Sequence, residues 1–361
     1  MTSIYLRIMN NKNQEQSSGD DSQNLQAGRD IIIQGLTYSE TKDLVITVAQ
    51  EVFRNNSIKL ANEAYELVQE RSEEILENFL KKLEAKNPQA IETMRDPGMQ
   101  FSLFNAQKEY ARTGDKGLAD LLEDILVDRA QNPNRDLMQI VLDECISVAP
   151  KLTPDQFDAL SLIFILRYTI NNNVTSINAL LSFIFTYLIP FVEGIREEDS
   201  RYQHLEFTGC GTLGLSDFSI QNILRQLYMI AFSKGFPIDE YDNKVGTDPK
   251  FKQFITPCFH DSSKFQISLI NKGKVEEVGK ANGLTDEEIK NINNIFESSL
   301  MGENEVRDYL ISLNPSMNDF INKWDKSDVR RMTLTSVGIA IGHANISRKT
   351  HITFDLKNWI K

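Results

Sequence analysis

Apolar residues along this chain recur mostly at the three-and-four spacing of amphipathic helices. Thr37-x-x-Glu40 has the residue types of a capping box, and after it apolar positions fall at Val45, Val48, Val52, Leu60, Ala64, Leu67, Phe79 and Leu83. The spacing predicts a long helix reaching Lys86, in one piece or two, with Asn55-Asn56-Ser57 as its weak point. Charge alternates along its polar face, as in NEAYELVQERSEEILENFLKK, and the apolar spacing drifts from seven, so a packed helix fits better than a strict coiled coil. Asn87-Pro88 and Asp96-Pro97-Gly98 close the segment.

The helical pattern continues from Phe101 to Pro150, with Leu118, Leu121, Leu122, Ile125 and Leu126 on one stripe and Ile140, Val141, Cys145 and Val148 on another. Thr153-Pro154-Asp155-Gln156 supplies a cap, a proline at the first helical position and a box partner, which predicts a helix through Tyr168. Ile177 to Ile195 is the most apolar run. Pro190 and Glu193 cut its uninterrupted part to roughly a dozen residues, short of the ~20 of a spanning helix, so a buried core helix is expected and membrane contact in a resting state is not. His204 to Cys210 reads as a short strand or turn, and Ile220 to Lys234 as a helix ended by Gly235. No helical period marks residues 237 to 275, where FQISLI reads as a strand. Thr285-x-x-Glu288 opens a helix reaching Met301, and Asn314-Pro315-Ser316 separates it from the short segment FINKW. The C-terminus reads as a strand, a helix capped at Ser336 and packed through Gly338 and Gly342, and a last strand.

Ser22 to Leu36, SQNLQAGRDIIIQGL, has a different character: a polar, Gly-containing lead-in runs straight into three isoleucines. One short strand so placed can neither bury its apolar side chains nor satisfy its edge, so pairing with another copy is the expectation, with Leu25, Ile31, Ile32, Ile33 and Leu36 as the oligomerisation seam. Residues 10 to 24, dominated by Asn, Gln, Ser and Asp, make a disordered tail the competing reading. The expected organisation is a leader over 1–36, a helical domain over 37–195 and a mixed, mostly helical domain over 196–361.

With 361 residues the chain exceeds the usual size of one core, and 41% apolar with 25% charged residues is the balance of a folded protein. A net charge of −12 argues against wholesale binding to nucleic acid or an anionic membrane surface. Cys145, Cys210 and Cys258 are odd in number, widely spaced and set among apolar residues, as buried free thiols of a reducing compartment are; the N-terminus lacks a signal-peptide pattern, so the cytoplasm is expected.

Candidate chemistry is sparse. Gly273-Lys274 and Gly279-Lys280 miss the phosphate-loop spacing and lack the following Ser or Thr, so a surface turn is expected. His204, Cys210, Cys258 and His260 are zinc-capable, but Cys-x-His with a distant His-x5-Cys is a poor match to structural zinc spacing. His343, in the small-residue stretch GIAIGHAN with His351 nearby, reads as hydrogen-bonded packing rather than a base. No catalytic residue, metal or cofactor is assigned.

AQKEYARTGDKGLADLLEDIL followed by VLDECISVAPKLTPDQFDALSLIF resembles the core of Abi-alpha and related bacterial abortive-infection proteins. Leu334-Thr335-x-x-Gly338 is similar to a strand-to-helix step near the end of such winged-helix-like domains, and QAGRDIIIQGLTYSE to a leader of uncharacterised bacterial proteins, several from defence islands. The resemblance implies a role in anti-phage defence or growth arrest and carries no catalytic residue across. A winged-helix end would offer Arg330, Arg331, Arg348 and Lys349 to a nucleic-acid backbone, but without aromatic interleaving they read as solvated surface or subunit contacts. The expectation is therefore a mainly α, multi-helical protein with a long N-terminal helix, a short N-terminal β segment and a small mixed α/β C-terminal part. It would act without enzymatic chemistry, as a homo-oligomer responding to a phage or host protein. Its rivals are a membrane-perturbing effector using 177–195 and a zinc- or thiol-dependent enzyme using His204, Cys210, Cys258 and His260.

Overall fold

The computed structural model describes residues 38–352 and 354–361, with side chains from Ala61 onward. The chain divides into two compact units, Met1–Val68 and Gln69–Lys361. Helix α1 (Tyr38–Lys86) starts in the first and runs unbroken through Asn55-Asn56-Ser57. Those residues have only modest helix propensity, each costing well under about 1 kcal/mol, and with neither Gly nor Pro among them the helix continues. Every side chain from Ala61 to Val68 is exposed, Tyr65 at 69% and Leu67 at 43%.

The second unit is mainly α. The end of α1 buries Ile75, Phe79 and Leu83. Three helices follow: α2 (Pro97–Thr113), α3 (Lys116–Ala130) and α4 (Leu137–Val148). Each is started by an aspartate, Asp96, Asp115 or Asp136, whose carboxylate accepts from the third backbone N–H of its helix. Ile140, expected on the buried stripe of α4, is 51% exposed while Met138, Val141 and Leu142 are buried. Helix α5 (Pro154–Tyr168) has the expected Thr153–Gln156 capping box and buries every residue from Gln156 to Leu166. The apolar run after it forms α6 (Ile177–Phe183), a π turn over Ile184–Leu188 and a 3-10 turn over Ile189–Gly194. Pro190, lacking an N–H to donate, sits at the changeover. By length and composition alone Ile177–Gly194 is apolar enough to cross a membrane, and 39% of it is buried in the fold.

The next segment corrects several expectations. His204 belongs to α7 (Asp199–Phe207), not to a strand; only after a turn does β1 (Gly211–Leu213) begin. Helix α8 stops early (Ile220–Leu227) and gives way to a 3-10 turn, so Gly235 caps no helix. It adopts φ +73 in a loop where an added Cβ would lie 2.9 Å from Cys258 Sγ. The stretch without a period contains α9 (Ile238–Lys244), α10 (Pro249–Lys252), β2 (Ile255–Pro257) and β3 (Phe265–Ile267), then α11 (Lys272–Ala281) where a surface turn was expected. Helix α12 (Asp286–Ser298) carries the Thr285–Glu288 capping box, and with α9, β3 and α11 it encloses an apolar cluster of Phe236, Tyr241, Phe254, Ile267, Val275, Ile292 and Phe296.

Two further helices, α13 (Glu303–Leu313) and α14 (Ser316–Lys326), lead to β4 (Met332–Leu334) and α15 (Ser336–Thr350). Strands β1 and β4 pair antiparallel, Gly211 opposite Leu334, as do β2 and β3, Ile255 opposite Ile267. Helix α15 is capped by Thr335, one residue before the expected cap. It lies on α5, α3 and α4, and two glycines allow the approach: an added Cβ would sit 1.8 Å from the Cys210 carbonyl oxygen at Gly338 and 2.9 Å from that of Leu160 at Gly342. The expected last strand is not found among the described residues; Leu356–Asn358 forms a 3-10 turn. The hairpin that a winged helix places after its last helix is likewise not seen there. One apolar core extends from Ile75 to Ile360 and draws on residues from both sides of position 196.

Candidate functional site

Three helices leave an open cleft of about 610 Å³ in the second unit. The end of α1 contributes Lys82 and Lys86, α3 contributes Asp120, Asp124 and Asp128, α15 contributes His343, Ser347 and Arg348, and His351 follows at its C-cap. Each set repeats every four or five residues, and that spacing puts side chains on one helix face. Ala85, Val127 and Ala344 give the walls their apolar parts.

The two lysines and the aspartate ladder interlock. Lys82 Nζ lies 2.8 Å from Asp124, 3.0 Å from Glu123 and 4.0 Å from Asp120, and Lys86 Nζ lies 2.7 Å from Asp128. Glu123 is 1% exposed and its oxygens make no well-aligned hydrogen bond, so Lys82 is its charge partner. Burial pushes the Glu123 and Asp124 carboxyls up, against the pull of the ammonium. For Lys82 burial acts downward, but its bonds to Asp124 and Glu123 outweigh that and hold it above its ordinary value.

On the opposite wall His343 is 4% exposed. Its Nε2 lies 2.9 Å from the carbonyl oxygen of Phe354 and 3.4 Å from the backbone nitrogen of the same residue. Nδ1 is buried and has no hydrogen-bond partner. Burial, the largest influence, lowers the imidazole pKa; Asp128 and the bond to Phe354 oppose it. Arg348 donates from Nη2 to Asn345 Oδ1 at 2.7 Å, while its buried Nε has no partner. Asn345 is itself anchored, its Nδ2 donating at 2.9 Å to both Asp158 and Ser161 of α5. A second cavity of about 460 Å³ shares Lys86 and Asp128 with the cleft and is bounded by Phe354 and Leu356.

The residues singled out from sequence lie elsewhere, with three exceptions. Leu25, Ile31, Ile32, Ile33 and Leu36 fall outside the described residues. His204 Nδ1 faces the side chain of Gln156, and Cys210 accepts from Thr208. Cys258 Sγ donates to the Ser233 carbonyl, while His260 contacts the Ala231 carbonyl and stacks edge-on against Tyr309. Among the described residues no three or more His, Cys, Asp or Glu groups are placed to hold a metal ion. All three cysteines are free and buried; burial raises the Cys145 thiol and takes that of Cys210 to about 11, away from thiolate chemistry. Arg330 and Arg331 pair with Asp217 and Asp328, and Lys349 with Asp158. The exceptions are His343, Arg348 and His351, all in the cleft wall. The aspartates and lysines facing them read in the sequence as helix decoration. Their four-residue spacing was the available signal, and only the packing of three helices turns it into a site.

No curated protein and no solved structure matches the chain. A protein-family model described only by a "-like" designation, with no activity in it, matches residues 35–360, and the chain belongs to that family.

Proposed function

We propose that this protein is a self-associating, non-enzymatic component of bacterial anti-phage defence, acting in the cytoplasm by assembly and by contact with a phage or host protein. The observation that carries the assembly part is on α1, where Tyr65 and Leu67 stand 69% and 43% exposed on a helix whose residues from Ala61 to Val68 are all exposed. Apolar side chains held out in water on a long helix are stabilised when a second copy covers them. The leader fits the same reading from sequence, since Ile31, Ile32 and Ile33 need a partner strand. The non-enzymatic part is supported by the buried, high-pKa thiols and by the satisfied ring and thiol groups of His204, Cys210, Cys258 and His260. The defence assignment rests on the resemblance to Abi-alpha proteins alone.

A membrane-perturbing effector is the second reading, favoured by Ile177–Gly194 and by Phe185, 54% exposed within it. Light scattering on the full chain and on a version lacking residues 1–36, with metal analysis of the same samples, tests the first reading. It expects a metal-free oligomer that loses mass order on truncation. An unchanged mass would sink the leader's role, stoichiometric zinc would overturn the non-enzymatic reading, and vesicle leakage abolished by Phe185→Lys would favour the second.

A further inference from the structure

Beyond α15 the chain folds back as a strap over 354–361. Leu356 and Ile360 are buried in the main core, Trp359 Nε1 donates to the Tyr168 carbonyl at 2.7 Å, and the rings of Phe354 and Trp359 meet that of Phe164 in α5. At His343 of α15 this strap meets a titratable group. The imidazole stands 6.2 Å from the Phe354 ring and 6.3 Å from the Phe164 ring, centroid to centroid. Its Nε2 lies 2.9 Å from the Phe354 carbonyl oxygen and 3.4 Å from the Phe354 nitrogen, while Nδ1 is buried with no partner.

These contacts suit a neutral imidazole. A neutral ring can donate from Nε2 to the carbonyl or accept there from the N–H, but a charged ring has two donors and no acceptor. With the second proton, the Phe354 N–H faces another donor and a charged N–H at Nδ1 is left buried without a partner. The neighbouring charges are already engaged. Asp124 and Asp128 of α3 line the same cleft but are held by Lys82 and Lys86 of α1 at 2.8 and 2.7 Å. Asp120, Arg348 and His351 line it too, an anion beside a cation and a second imidazole. Asp158 of α5 is taken by Lys349 and Asn345. Helix α4 meets α15 nearer its start, where Cys145 Sγ lies 3.7 Å from the Val337 carbonyl, and the strap carries one exposed charge of each sign, Asp355 and Lys357. Burial is the largest influence on the ring and holds its pKa below the ordinary value, with Asp128 opposing.

We propose that His343 is a proton-sensitive fastener for the strap: a second proton on the ring releases 354–361 from α5 and α15, which hydrates the imidazolium and opens the second cavity, whose wall includes Phe354, Asp355, Leu356 and Lys357. With the strap open, the ring takes its proton near the ordinary histidine value of about 6.5, and with the strap closed only at lower pH. Between those two values one proton is linked to release, so the opening constant rises about tenfold for each unit of acidification.

Hydrogen exchange of the full chain between about pH 5 and pH 8, with each rate divided by that of the same peptide unfolded, reads the opening constant. The Trp359 and Ile360 amides, which donate to the Leu356 carbonyl at 3.0 and 3.2 Å, report on the strap, and amides within α15 report on unfolding of the whole. The strap constant is expected to be flat above about pH 7 and to rise about tenfold per unit below about pH 6.5, without the α15 amides following. His343→Gln abolishes the rise; His351→Asn, at an exposed position whose positive φ asparagine tolerates, keeps it. A flat strap constant, an equal rise in the α15 amides, a rise that survives His343→Gln or one lost in His351→Asn would overturn the proposal. Circular dichroism checks that His343→Gln folds; if it does not, NMR titration of the four histidines of the unaltered protein decides. His343 titrating below about 6.5 supports the fastener, and titration at or above that value overturns it.

Discussion

Gly338→Ala is the sharpest probe of how α15 is seated. A Cβ at this position would lie 1.8 Å from the carbonyl oxygen of Cys210 and 2.9 Å from its carbon. Both are backbone atoms, fixed by Thr335 N–H donating to the same oxygen at 3.1 Å and by the β1–β4 pairing just beyond it. Non-bonded atoms attract only from about 3.5 Å outward, so α15 or the Cys210 turn must move by more than an ångström. Overpacking on that scale costs about 3 kcal/mol or more, whereas alanine returns at most about 1 kcal/mol of helix propensity. The net loss of about 2 kcal/mol, in a unit of this size, lowers the thermal midpoint by about 4–8 °C. Gly273→Ala is the matched control: it sits in the first turn of α11, its nearest neighbour would be Asn271 Oδ1 at 3.4 Å, and neutrality or slight stabilisation is expected. Differential scanning calorimetry on both variants decides. A Gly338→Ala midpoint equal to that of the unaltered protein would refute the close approach of α15 to the Cys210 turn.

The interlocked lysines give a second test. Lys82→Met leaves the Glu123 carboxylate buried without its cation, and allowing for the 35% exposure of Lys82 the loss at pH 7 should be about 2 kcal/mol in urea denaturation. Burial holds Glu123 above its ordinary range, so the folded state binds more protons than the unfolded one above about pH 4.3 and stability falls as pH rises. The cost of Lys82→Met should therefore shrink between pH 7 and pH 5 and largely vanish when Glu123→Gln is added; a pH-independent cost would contradict this pairing. The thiols give a third: Cys145, Cys210 and Cys258 should resist a thiol reagent at pH 8 in the folded protein and react together once it is unfolded, and rapid labelling of Cys210 in the native state would count against its burial.

Much of the fold was legible because local chemistry agreed with tertiary structure. Thr153 and Thr285 start helices where their capping boxes place them, and the paired glycines of α15 mark a close approach. Legibility failed for elements too short to show a period. Helices α9 and α10 are held by packing around Phe236, Tyr241 and Phe254 rather than by a repeating stripe. His204 to Phe207 lacks an apolar stripe, yet Leu205 is buried as the last turn of α7. Gly235 looked like a cap because a glycine after an apolar run usually is one; here its positive φ serves a loop beside Cys258. The cleft was the least legible part. Asp120, Asp124 and Asp128 resemble any solvated helix face until α1 and α15 are laid against them, and the Nδ1 of His343 is left over only because Phe354 takes the other nitrogen.

Sedimentation equilibrium of the full-length chain over a wide concentration range bears most directly on function by assembly. Self-association predicts a mass that is a multiple of 41.2 kDa, falling toward that value when Tyr65 and Leu67 are both replaced by lysine. A mass of 41.2 kDa at every concentration of the unaltered protein would contradict it.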